Sequence, residues 1–291
     1  MNEVEFYLLD LKSKFDKIDK SKYFLSYSGG KDSHFLYWFI KEYLKDNEIE
    51  IVGVNTFFEH DEIIKRIYKN CDTVLTPRYK PNEIKKRFGI PCFTKVQDEF
   101  IDRYQKGSRS QSTLERVLGF EHYGGQHSRF QLSKSAREFA LSPNSHKVST
   151  KCCKYLKKLP SKDYMKATGK KAILGVRGNE SVQRKAKYKS CFQKNGNFTP
   201  IHDLSNELLE KIYKEKGIEI PNIYNYVDRT GCVGCPYGTN VARQDTIKEL
   251  ELINKNKRRF IIDYFKESYE VRGIDYKRFT PPTLQDPPCN E

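Results

Sequence analysis

A chain of 291 residues can hold one large domain, or a domain with an appendage, and can bury a core without a disulfide scaffold. Its 19 Tyr and 18 Phe supply apolar surface that argues against wholesale disorder, although 31% of the residues are charged. No apolar run approaches the roughly 20 residues that span a bilayer, and acids stand where a signal peptide carries its basic head, so the expectation is a cytoplasmic protein with no membrane partner.

In chain order, Val4, Leu8, Leu11, Phe15 and Ile18 share one face of a helix over residues 1–20. YFLSYS at 23–28 reads as a buried strand ending at glycines, and Phe35, Leu36, Phe39, Ile40, Tyr43 and Leu44 follow with helical spacing. IEIVGVNT at 49–56 is a second strand, followed by a helix through Ile63, Ile64 and Ile67. DTVLTP at 72–77 is a third strand and KKAILGVRG at 170–178 a fourth. Alternating strands and helices predict an α/β fold, a Rossmann-like parallel sheet with helices on both faces. Residues 104–146, rich in Ser, Gly, Gln and Arg, read as an insertion over the functional edge of the sheet. A short helix is expected over 205–217, a final helix over 246–271 and an extended proline-rich tail after it. The implied division is an N-terminal helix (1–20), a nucleotide-binding and cysteine-bearing domain (21–240) and a helical extension with its tail (241–291).

The net charge of +15 favours polyanionic partners, although many lysines, as in KEYLKDNE, solvate helix faces. The sharpest motif is Ser28-Gly29-Gly30-Lys31-Asp32-Ser33, set between a strand and a helix. Two glycines let backbone N–H groups approach an anion, the helix terminus adds positive potential, Lys31 adds a mobile cation, and Ser28 and Ser33 add hydroxyl donors. Gly175-Val176-Arg177-Gly178-Asn179-Glu180-Ser181, with Arg184 beyond, closes the fourth strand. Loops at the carboxyl ends of parallel strands surround the ligand crevice, so Arg177 and Arg184 are candidate phosphate clamps.

Eight cysteines in a chain of this kind are better metal ligands or reactive thiols than disulfides. Cys152 and Cys153 are adjacent, and Cys232 and Cys235 form a Cys-x-x-Cys turn with Gly234 and Pro236. Vicinal cysteines crowd a single tetrahedral ion but suit a cluster with one iron per sulfur, so a [4Fe-4S] cluster is preferred to zinc. Cys191 is a candidate persulfide carrier or an ordinary half-buried thiol, and Cys289 a candidate nucleophile in the tail.

SGGKDS resembles the pyrophosphate-binding loop of the ATP pyrophosphatase superfamily, whose fold is that of the adenine nucleotide alpha hydrolases and which cleaves ATP between its α and β phosphates. VNTFFEHDE resembles the second strand of that family, with Thr56 and Glu59 in place and Asn55 where an Asp is common. The Gly-x-Arg…Glu-Ser…Arg pattern resembles the phosphoadenylyl-sulfate (PAPS) reductase branch. A Cys-Cys with a distant Cys-x-x-Cys resembles the assimilatory adenylyl-sulfate reductases and the iron-sulfur sulfurtransferases of DNA phosphorothioation. The resemblance covers about residues 21–237. It implies an adenine nucleotide held by Ser28, Gly29, Gly30, Lys31, Asp32, Ser33, Thr56 and Arg177, catalysis by Lys31, Arg177 and Arg184, and a cluster on Cys152, Cys153, Cys232 and Cys235.

Sulfonucleotide reductases usually lack the loop lysine, so Lys31 favours ATP with Mg²⁺. The leading expectation is an ATP-dependent enzyme that adenylates a substrate, DNA or tRNA among the candidates, for sulfur transfer from a donor protein. A sulfonucleotide reductase releasing sulfite is the alternative, and a non-catalytic nucleotide-binding subunit the third reading.

Overall fold

A computed structural model describes residues 2–119, 131–178, 182–239 and 245–279. The chain divides into two compact units, Met1–Arg78 with Leu156–Thr230, and Tyr79–Tyr155 with Gly231–Glu291.

The first unit begins with α1 (Glu3–Phe15), capped by a reciprocal Asn2–Glu5 capping box and buried along Val4, Leu8, Leu11 and Phe15, the stripe the heptad-like spacing predicts. Then come β1 (Tyr23–Tyr27), α2 (Lys31–Trp38), β2 (Glu50–Val54), α3 (Asp61–Asn70) and β3 (Thr73–Leu75). The chain enters the second unit through α4 (Pro81–Phe88), α5 (Lys95–Gln105), α6 (Gln111–Leu118), α7 (Lys134–Leu141) and the short α8 (Lys151–Cys153). It returns to the first through α9 (Leu159–Thr168), β4 (Lys171–Leu174), α10 (Val182–Lys187) and α11 (Asn206–Glu215), and ends in the second with α12 (Lys255–Val271).

The four strands are all parallel, in the order β3-β2-β1-β4, with Leu25 of β1 opposite Ile51 of β2 and Ile173 of β4. Neighbouring residues of β2 show helices on both faces. Gly53 backs onto Ile67 of α3, whereas Val52 joins Phe24 and Ala172 in a cluster with Tyr164 and Met165 of α9. The sequence-predicted α/β sheet is therefore present. Its strand order reverses between β1 and β4, the place where an open parallel sheet leaves a crevice at its carboxyl edge.

The second unit departs from a plain insertion. Residues within 104–146 pack together with α5 around a core of their own, in which Ile101, Val117, Ala136 and Val148 are fully buried. Both cysteine pairs fall in this unit rather than in the one that carries the sheet. The last helix begins at Lys255, nine residues after the predicted start at Thr246, because Asn254 caps it by accepting from the Lys257 amide at 2.9 Å, and 248–252 forms a separate 3₁₀ turn.

Candidate functional site

The loop after β1 is built as its sequence requires. Gly29 has φ +74°, and a Cβ there would stand 2.9 Å from the Ile63 methyl, so both conformation and space call for glycine. Ser33 Oγ accepts from the Ser28 amide at 3.2 Å and donates to the Gly30 carbonyl at 3.1 Å, bracing the turn that starts α2. No side chain caps α2. A Cβ on Gly175, just past β4, would meet the Ser33 amide nitrogen at 2.8 Å, so this glycine lets the two strand ends close on one another.

Between them lies a cavity of about 360 Å³ in the first unit. Ser28, Gly30, Lys31, Asp32 and Ser33 line one side, and Gly175, Arg177 and Arg184 the other, so most of the sequence-predicted nucleotide residues meet here. Gly29 supports the loop from behind. Thr56 is buried at 3% exposure and gives both its amide and its hydroxyl to Glu59, outside the cavity lining.

The electrostatics are lopsided. Among the described residues, Lys31, Arg177, Arg184 and Arg229 face Asp32 and Asp228 alone. Arg177, 8% exposed, donates through Nε to Asp32 Oδ1 at 2.7 Å and through Nη1 to the Asn206 side chain. Burial pushes the Asp32 carboxyl above its ordinary value, while the guanidiniums of Arg177, Arg184 and Arg229 pull it back. Burial and then the neighbouring Arg229 lower the Arg184 guanidinium, the mark of cations held closer together than their counter-charges justify. A di- or trianion is the ligand that relieves this arrangement.

Five lining groups were missed in the sequence: Asn206, Tyr224, Asp228, Arg229 and Thr230. Tyr224 is the most informative. Its hydroxyl accepts from the Lys31 amide at 3.0 Å and shares a hydrogen bond with Thr230 at 3.2 Å, and its ring lies 4.5 Å from the Lys31 ammonium. Tyr213 fixes the same residue from the other side by donating to the Lys31 carbonyl at 2.7 Å. The phenol oxygen of Tyr224 thus occupies an amide that an oxyanion would use. The only sequence signal for these residues was the segment leading to Cys232, which resembles the family as a stretch but follows no spacing rule.

The described cysteines are thiols, with no disulfide. In the second unit Cys152 is 5% exposed, and its thiol is pushed well up by burial and then by Cys232, Cys153 and Cys235, so the four sulfurs share one electrostatic neighbourhood. The Cys232–Cys235 turn is braced on several sides. The Cys235 amide donates to the Cys232 carbonyl at 3.2 Å, the Gly234 amide to Thr246 O at 2.8 Å, and Thr246 Oγ1 to Cys235 O at 2.7 Å. Beyond Pro236, Tyr237 donates to Asp98 Oδ2 at 2.6 Å, and Asp98, fully buried, also takes the amides of Cys92 and Phe93. Among the described residues no three His, Cys, Asp or Glu converge tightly enough to chelate one metal ion.

Cys191 lies in the first unit, its Sγ 3.8 Å from His202 Nδ1, and burial raises its thiol. Cys289, Glu180 and Ser181 lie outside the described residues.

No protein-family model matches the sequence, and no curated protein matches it. Among solved structures the chain is similar to the NH3-dependent NAD synthetase of Campylobacter jejuni, with 12% identity and a TM-score of 0.36 over 92% of this chain and 94% of that one. Among the described residues, no helix is long and apolar enough to cross a membrane.

Proposed function

We propose that this chain is an ATP pyrophosphatase of the PAPS reductase type, which adenylates an acceptor so that sulfur can displace AMP. The observation that carries the reading is the glycine loop opening α2 at the reversal of strand order, in a cavity where four cations face two carboxylates. The amide of Gly30, in a turn that Gly29 shapes, and the ammonium of Lys31 hold the β and γ phosphates. Arg177, fixed by Asp32 and Asn206, and Arg184 face the α phosphorus, where an acceptor oxygen attacks and pyrophosphate departs. Mg²⁺ bound to the phosphates would screen the charge of that leaving group.

Cys152, Cys153, Cys232 and Cys235 are the residues that would hold a [4Fe-4S] cluster. The donor set fits: burial and then the three neighbouring sulfurs raise the proton affinity of the Cys152 thiol, a cost that iron relieves, and a cluster gives each sulfur its own iron without requiring convergence on one point. The cluster would hold or relay sulfur. The acceptor is proposed to be DNA or tRNA, which suits the net charge of +15, with sulfur supplied by a partner protein.

The test is anaerobic incubation of the whole chain with ATP, Mg²⁺ and either DNA or tRNA, reading pyrophosphate and AMP. Pyrophosphate release from the native chain and its loss in Lys31→Ala are expected, with ATP affinity falling roughly 10- to 100-fold, as removal of a charge-assisted phosphate contact implies. Sulfite from PAPS or adenylyl sulfate, with no pyrophosphate from ATP, would replace this reading with a reductase. A stable ATP complex without product would replace it with a binding subunit.

Tyr224 sharpens the same test. Its hydroxyl competes for the Lys31 amide, so Tyr224→Phe is expected to tighten pyrophosphate binding by roughly 2- to 10-fold, the value of one neutral hydrogen bond. Weaker binding by the variant, measured by calorimetry, would instead make the hydroxyl a ligand contact.

A further inference from the structure

The first unit holds a second cavity, of about 570 Å³, that shares no lining residue with the phosphate-loop cavity. Its size is that of a small-molecule site. Its walls are the outer turns of α2 and α3 and residues 217–222.

Arg66 lines this cavity and is only 8% exposed. Its Nη2 donates to the Glu219 carbonyl at 2.8 Å, while Nη1 is buried with no hydrogen-bond partner. Among the described residues no carboxylate pairs with it. Glu62, one turn earlier on α3, accepts through Oε2 from the Ile223 amide at 2.9 Å, and the side chain of Glu219 is exposed. A guanidinium taken out of water without a counter-charge is strongly unfavourable, and a bound anion is the direct remedy.

His34 adds a second polar group. Tyr27 Oη accepts from Asn70 Nδ2 at 2.9 Å and shares a hydrogen bond with His34 Nδ1, also at 2.9 Å. His34 remains neutral, since burial beside Arg66 and Lys69 pushes it down to about 3. Tyr37, stacked on His34 at 5.5 Å, and Trp38 give the same cavity two aromatic walls. Lys65, Arg66 and Lys69 face Glu42, Glu62 and Glu219 around it, so the lining is balanced in charge, and what sets Arg66 apart is its buried, unpartnered Nη1.

We propose that this cavity is a binding site for a small molecule bearing an oxyanion group, carboxylate, phosphate or sulfate, drawn to the Arg66 guanidinium and seated against Tyr37 and Trp38. The site is independent of the phosphate-loop reading. Trp38 is the single tryptophan of the chain, so its emission reports directly on occupancy.

The experiment titrates the full chain, its Lys31→Ala variant and its Arg66→Met variant with inorganic phosphate, sulfate and benzoate, following Trp38 emission and melting temperature. A saturable emission change with at least one of the three, retained in Lys31→Ala and lost in Arg66→Met, is expected. Which anion saturates distinguishes an inorganic-type oxyanion from an aromatic carboxylate. If Arg66→Met does not fold, Arg66→Lys keeps the charge but loses the fork and should bind at least about tenfold more weakly. No saturable change with any of the three would overturn the proposal. So would a change that disappears in Lys31→Ala but survives in Arg66→Met or Arg66→Lys, since the signal would then belong to the phosphate loop.

Discussion

Replacing Arg177 with alanine is expected to cost about 3–5 kcal/mol of stability at neutral pH, the penalty for breaking a buried pair and leaving one charge behind. The pair is well enclosed: the side chains of Arg177 and Asp32 are 9% and 13% exposed, with 2.7 Å between Nε and Oδ1. Without the guanidinium, Asp32 is a buried carboxylate whose folded-state proton affinity, already raised by burial, rises further above the ordinary value of 3.8. The sign follows from linkage. The folded variant binds a proton that the unfolded chain releases near 3.8, so its stability is greatest below that value and falls as pH rises toward the elevated folded value. Thermal melts of Arg177→Ala should therefore approach the parent at acid pH and diverge above it. Arg177→Ala combined with Asp32→Asn should recover most of the stability at neutral pH while still failing to release pyrophosphate from ATP. That split separates the structural work of the arginine from its work on the ligand. A double variant no more stable than the single one at neutral pH would show that the pair does not govern this region.

The same residues show what could be read before any coordinates. The glycine loop was legible because its chemistry is local: two glycines, a lysine and two hydroxyls between a strand and a helix state their geometry in six consecutive positions. Arg177 was legible for a related reason, since the carboxyl end of a parallel strand faces the crevice wherever the strand lies in the order. Tyr224, Arg229 and Asn206 were not, because they reach the cavity from a 3₁₀ turn, a loop and the first residue of α11, none of which has a periodicity that names a direction. Thr56 stands where the family pattern puts it, yet its hydroxyl is turned to Glu59, a pairing that residue identity alone does not disclose. Arg66 reads from sequence as one more cation on a charged helix. Only burial distinguishes it from Lys65 and Lys69 beside it. All four strands were found because apolar runs bounded by turns have few other uses, although the spans read as 72–77 and 170–178 shrink to Thr73–Leu75 and Lys171–Leu174. The second unit was underestimated because its core is assembled from several short helices whose apolar residues are too sparse to stand out one by one.

Cys232→Ser is expected to bring iron from about four atoms per chain in anaerobically purified protein to near zero, as a cluster bound by four thiolates requires. Cys152 is almost wholly enclosed, and its thiol resists ionisation because burial and the three neighbouring sulfurs all oppose a new negative charge. Four thiolates are therefore tolerable only around a compensating cation, which ties metal occupancy to the stability of the second unit. Losing one ligand should consequently lower the melting temperature as well as the iron and sulfide content. Cys191→Ser provides the control, since that thiol lies in the first unit beside His202 and should leave iron untouched. Lys31→Ala should likewise keep the brown absorbance while losing nucleotide, because the phosphate loop and the cysteines belong to different units. Stoichiometric zinc in place of iron would assign the four sulfurs to a structural ion. A native chain free of both metals would remove the cluster from the proposed reaction and leave the nucleotide chemistry of the first unit to stand by itself.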